Sequence, residues 1–313
     1  PEIRRYVLVG VLIGFAIVGA VIVVGYIAAR FQIGGPHAGQ ALTQTAFFIT
    51  NPALLFTVLA QADLAAVFSA YVPIALITAV ATAGLYVLLS RIWFRRPAAE
   101  TAVGAMASSY VNANNIGIPI ALYALGNATP VAPVLLIQLL LLAPAYLTIL
   151  DLSSGRKPSL KNILTQPFRN PMIIASFLGV AVAWTGVELP EVVWEPLMLL
   201  GGAAVPLVLM AFGMSLRGSR PLKVSEGRTE VIVATALKSA VMPLLTYLVA
   251  TFLFRLDAGL VFGAVIMAAL PSAQNVFLFA SRYGRGITVA RDVVLLSSAL
   301  AVPALIIAAW LLA

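Results

Sequence analysis

No cysteine occurs in the chain, and histidine occurs once, at His37 in a Gly/Pro-rich connection. Disulfide frameworks, thiolate catalysis and histidine-rich metal sites are thereby excluded, and no metal or cofactor is expected. Charge is scarce as well. Only 10% of the 313 residues are Asp, Glu, Lys or Arg, and 11 residues in all are acidic. What fills the chain instead is apolar, at 62%. A water-soluble domain of this length exposes too much surface to hide that fraction. The solvent of this chain is lipid.

Ten apolar runs of membrane-crossing length follow one another, at 6–29, 38–60, 66–94, 98–125, 128–150, 167–186, 191–216, 229–254, 258–281 and 287–312. All are helical candidates, because an open strand edge finds no hydrogen-bond partner in lipid. The alternating pattern of an outer-membrane barrel is absent. The first run exceeds a signal-peptide core and has no small-residue cleavage pattern after it, so it reads as a span.

Net charge is +8. On a soluble protein this would suggest nucleic acid; here it reports topology. Of the 19 Lys and Arg residues, fifteen fall in connections on one side of the ten runs. Arg4, Arg5 and Arg255 fall on the other, and Lys238 lies inside the eighth run. The positive-inside rule then predicts a multi-pass protein of the inner (plasma) membrane with both termini on the non-cytoplasmic side.

The longest polar stretch, 151–170, divides the chain into 1–150 and 171–313, with five runs in each part. Five is odd, so the second set enters the membrane in the opposite direction, which predicts an inverted repeat joined by a cytoplasmic linker. Asn51-Pro52-Ala-Leu-Leu lines up with Val205-Pro206-Leu-Val-Leu, and Gly104-Ala-Met-Ala with Gly263-Ala-Val-Ile.

Those two Gly-Ala runs share a second property. Each is broken near its middle by polar and helix-breaking residues. The first break holds Asn112, Asn114 and Asn115, then Gly117 and Pro119; the second holds Pro271, Ser272, Gln274 and Asn275. Three asparagines within four residues cannot face one partner from a regular helix, and an unpaired amide in hydrocarbon costs several kcal/mol. Pro119 also removes the backbone bond to position 115. The expected structure is a non-helical segment between half-helices, one of them beginning near Pro119 with its positive end free for an anion. Paired broken helices in inverted halves point to a transporter's substrate site.

Lys238 is the one charged residue well inside a run. It is either a fixed charge that replaces a coupling cation or attracts an anion, or a lysine that snorkels to the near surface. Asn51, beside Pro52, is a further candidate contact. No Asp or Glu is expected at membrane depth, so carboxylate proton relays and sodium sites are not visible. Nothing offers a nucleophile with a base, so an intramembrane enzyme is disfavoured.

The run Asn112-Ala-Asn-Asn-Ile-Gly117-Ile-Pro119, followed by Pro271-x-Ala273-x-Asn275 and Ala280-x-x-Tyr283-Gly284, resembles the auxin efflux carrier family along the whole chain. That family is similar in fold to bile-acid/sodium symporters and sodium/proton antiporters. The resemblance implies an all-α membrane protein of ten helices in two inverted repeats with crossed broken helices. It implies a scaffold from spans 1, 2, 6 and 7 that forms a homodimer. It also implies a mobile domain from spans 3–5 and 8–10 that carries a small organic anion, a carboxylate, by an elevator motion. Substrate would bind at Asn112, Pro271 and Asn275. Sodium or proton coupling on the same architecture is the alternative. The chain departs from the plant carriers in its short central linker, in lacking a proline just before Asn112, and in a third span without charge before Arg91. It looks like a bacterial member, a group associated with malonate, malate and similar acids.

Overall fold

The computed structural model describes residues 16–17, 19–61, 70–127, 130–153, 171–218 and 227–312. Most of the 151–170 linker therefore lies outside the described residues. Apart from one isolated bridge, helix is the only regular structure among those described. In chain order the helices are α1 (Gly19–Arg30), α2 (Ala38–Ala60) and α3 (Tyr71–Phe94). Then come α4 (Ala98–Ser109), α5 (113–125), α6 (131–153) and α7 (Pro171–Thr185). Next are α8 (Glu191–Met214) and α9 (Arg228–Leu253). The last three are α10 (Ala258–Ala269), α11 (Gln274–Tyr283) and α12 (Ile287–Leu312). By length and composition α2, α3, α8, α9 and α12 can each cross a membrane. The runs 98–125 and 258–281 are the ones split into two helices.

Proline shapes several of these helices in one consistent way. Wide π turns cover Ala46–Thr50, Ala113–Gly117, Gln138–Leu142 and Leu237–Val241. Each ends two residues before a proline: Pro52, Pro119, Pro144 and Pro243. A proline ring collides with the carbonyl four residues back and has no N–H to offer it. Widening the preceding turn relieves both problems without ending the helix.

The helices pack in two groups. α7 and α8 both lie on α2, and α1 lies on α8. The α1–α8 contact is backbone on backbone: a Cβ at Gly213 would overlap the Ile22 carbonyl, and one at Gly25 the Met210 carbonyl. Lipid supplies no hydrophobic drive between helices, so close van der Waals approach at small residues takes its place. In the second group α3 packs on α4 and α6, α4 on α6 and α12, and α9, α10 and α11 on α12 or one another. The groups meet where α8 touches the 113–117 turn, and where Leu59 of α2 packs with Ala132 of α6.

Two carboxylates are more deeply placed than expected. Glu230 and Asp292 are buried, one in the first turn of α9 and one early in α12. Each has an arginine beside it: Arg96 Nε donates to Glu230 Oε1 at 2.5 Å, and Arg291 Nε to Asp292 Oδ1 at 2.6 Å. Both lie near helix ends, so mid-span carboxylates are still absent among the described residues.

Candidate functional site

The two breaks meet. Tyr110, Val111 and Asn112 leave α4 as extended chain and run antiparallel to Pro271, Ser272 and Ala273, which leave α10. Asn112 N donates to Pro271 O at 2.8 Å, and Ala273 N donates to Tyr110 O at 2.9 Å. Backbone groups freed by one broken helix are thus satisfied by the other, as burial in an apolar medium requires. Ser272 N finds a third partner, Ser297 Oγ on α12, at 3.0 Å. Ser272 is fully buried, and its hydroxyl oxygen has no hydrogen-bond partner.

Four helix ends converge on this crossing. α4 and α10 bring carbonyl ends; α5 and α11 bring N–H ends. Asn112 O accepts from Gly117 N at 2.9 Å and so closes the first turn of α5. This corrects the expected position of the half-helix. It begins at Ala113 rather than near Pro119, because the π turn lets the chain absorb Pro119 inside a helix. Gly117 lies in that turn against Leu270, where a Cβ would come within 2.8 Å of the leucine methyl. Asn114 and Asn115 therefore sit in the first turn of α5, and Gln274 and Asn275 in the first turn of α11. The side chain of Asn115 lies outside the described residues.

Val111 faces Ser272, so Asn114 and Asn275 each lie three residues past the paired position, and Asn112 and Ala273 one residue past it. Asn112 itself is buried. Asn51 is buried too, on α2, whose main packing partners are α7 and α8 rather than either break.

Lys238 does not snorkel. It is fully buried, and its Nζ donates to Ala268 O at 2.6 Å, with Met242 Sδ at 3.5 Å. Ala268 lies in the last turn of α10, where unpaired carbonyls carry partial negative charge. The ammonium thus caps the carbonyl end of one half-helix at the crossing.

Two cavities flank the crossing. A small one of ≈ 30 Å³, room for about one or two waters, has Thr78, Ser109, Gln138 and Thr246 in its wall together with Val111 and Ala268. A larger cleft of ≈ 670 Å³ opens between the α1–α2 connection, α8, α11 and α12, and reaches Gln274 and Phe277. Its wall carries Arg217 and Arg291 and no carboxylate among the described residues. Ser297, Thr78 and Thr246 drew no attention in the sequence, since isolated hydroxyls in apolar helices are common. No group of His, Cys, Asp and Glu among the described residues could hold a metal ion.

The sequence profile described as "Membrane transport protein" matches residues 11–309. A Rhizobium meliloti (strain 1021) protein named "Putative malonate transporter" is 32% identical over 283 residues, covering 84% of this chain and 83% of that one. An Oryza sativa subsp. japonica protein named "Probable auxin efflux carrier component 5b" is 27% identical over 155 residues, 48% of this chain and 41% of that one. The chain belongs to the membrane transport protein family, that of the auxin efflux carriers, and is a transport protein rather than an enzyme.

Proposed function

We propose that the chain is a secondary transporter of a small carboxylate, working by an elevator-type alternating access. The observation that carries this reading is the antiparallel meeting of 110–112 with 271–273. It brings together two helix N-termini, with Asn114, Asn115, Gln274 and Asn275 in their first turns, beside the buried Asn112 and the unpartnered Ser272 hydroxyl. Donors and positive helix ends suit a carboxylate. Pro271, Gly117 and Pro119 shape the break. Asn51 is a peripheral contact from the scaffold at most.

The two packing groups support the division of labour. Helices α1, α2, α7 and α8 form the scaffold, through which two copies pair. The remaining helices form the moving body. Ten spans in two inverted repeats, 1–150 and 171–313, place both termini outside the inner membrane. Lys238 stands where a coupling cation would neutralise the carbonyl end of α10.

The similarity to a protein named for malonate makes malonate the first probe. Proteoliposomes loaded with malonate should exchange labelled malonate saturably, at the same rate with sodium or potassium outside. A second reading, cation-coupled transport, is favoured by the hydroxyl-lined ≈ 30 Å³ cavity beside Val111 and Ala268. Exchange that requires sodium, or that collapses the proton gradient, would select that second reading.

A further inference from the structure

The ≈ 670 Å³ cleft carries a feature that the crossing does not explain. Arg291 sits on the cleft face of α12, in line with Val294 and Leu295 one turn further on. One edge of its guanidinium is held by Asp292, through Nε to Oδ1 at 2.6 Å. The other edge is not: Arg291 Nη2 is buried with no hydrogen-bond partner. The side chain as a whole is 36% exposed, so its guanidinium is within reach of a ligand in the cleft. Arg217, at the end of α8, lines the same cleft from the opposite packing group. One of its nitrogens donates to the Ala29 carbonyl, which pins the side chain to the wall. Among the described residues the charged side chains lining the cleft are Arg217 and Arg291, the latter paired with the buried Asp292.

The position along α12 separates this place from the crossing. Ser297, which binds Ser272 N, lies six residues beyond Arg291. At the helical rise that is about 9 Å along the axis. Gln274 and Phe277 line the cleft on the way.

We propose that Arg291 and Arg217 form a staging subsite for a carboxylate, occupied before the anion moves on to the crossing of the broken helices. This rests on the carboxylate-transport reading. The subsite spans the two packing groups, so it is assembled only while the cleft is open. A dianion gains more from it than a monoanion, because two guanidinium groups face one ligand.

The test is malonate transport in proteoliposomes, with substrate supplied separately from the cleft face and from the opposite face. Arg291→Gln should raise the half-saturating malonate concentration from the cleft face about tenfold, leaving the maximal rate intact. From the opposite face it should change nothing, which also shows that the variant is folded. Arg217→Gln should act in the same direction, and Arg291→Lys should restore part of the loss. Acetate, a monoanion, should respond less than malonate. Unchanged half-saturation from the cleft face, or an equal change from both faces, overturns the subsite while leaving carboxylate transport in place. Wild-type vesicles that move no carboxylate overturn both.

Discussion

Asn275→Ala is expected to lower malonate transport, as kcat/KM, by about 10- to 100-fold, the effect of removing one donor from a charged ligand. The protein should remain folded, since Asn275 lies in the first turn of α11 and is not part of the backbone pairing that joins the breaks. Asn114→Ala should behave alike, because Asn114 and Asn275 each lie three residues past the paired Val111 and Ser272. Asn112→Ala should also abolish transport, with some loss of stability, since its side chain is buried at the crossing. Asn51→Ala should cost far less, as its helix packs within the scaffold group. Uptake assays on the four variants, with size-exclusion profiles as the fold check, decide the matter. Wild-type rates for both Asn275→Ala and Asn114→Ala would remove the crossing as the binding site.

Lys238→Met should change the charge that accompanies each substrate. The ammonium is fully buried and held by the Ala268 carbonyl, so it travels with α9 and α10 if that body moves. A fixed positive charge that crosses the field with a dianion offsets one of its two charges. Its removal should therefore add about one elementary charge to the current measured per malonate, a difference of about 2.3 kcal/mol per 100 mV. Methionine keeps all but the last atom of the side chain's length and leaves the Ala268 carbonyl without its donor, at a cost of about 1–3 kcal/mol in stability. Solid-supported-membrane currents, divided by tracer flux at the same potential, give the ratio. An unchanged ratio would mean that Lys238 is purely structural.

Both breaks and the buried lysine were legible in the sequence because lipid makes polar groups at depth conspicuous. The register between the breaks was not. Tyr110, Val111 and Asn112 carry no glycine or proline, and nothing local ends α4 there. Their extended conformation comes from pairing with 271–273, a contact some 160 residues away in the chain. Pro119 misled for the opposite reason. It is a strong local breaker, but the π turn before it keeps α5 continuous from Ala113. In the sequence Arg291 is one of the fifteen Lys and Arg residues that make the charge asymmetry. Its role depends on the face of α12 it occupies and on what α8 presents across the cleft, and neither is local. Nothing in the composition marks Glu230 and Asp292, near the starts of the eighth and tenth runs, as buried, because burial at a helix end has no composition signal.

The most direct test of the central claim uses the absence of cysteine. Phe277→Cys places a single thiol in the cleft, one turn from Gln274 and outside the proposed binding groups. The account predicts that a membrane-impermeant thiol reagent labels it from the cleft face alone, and that saturating malonate slows the labelling. Labelling from both faces at once, or a rate indifferent to malonate in a variant that still transports it, would contradict a carboxylate bound where the two broken helices cross.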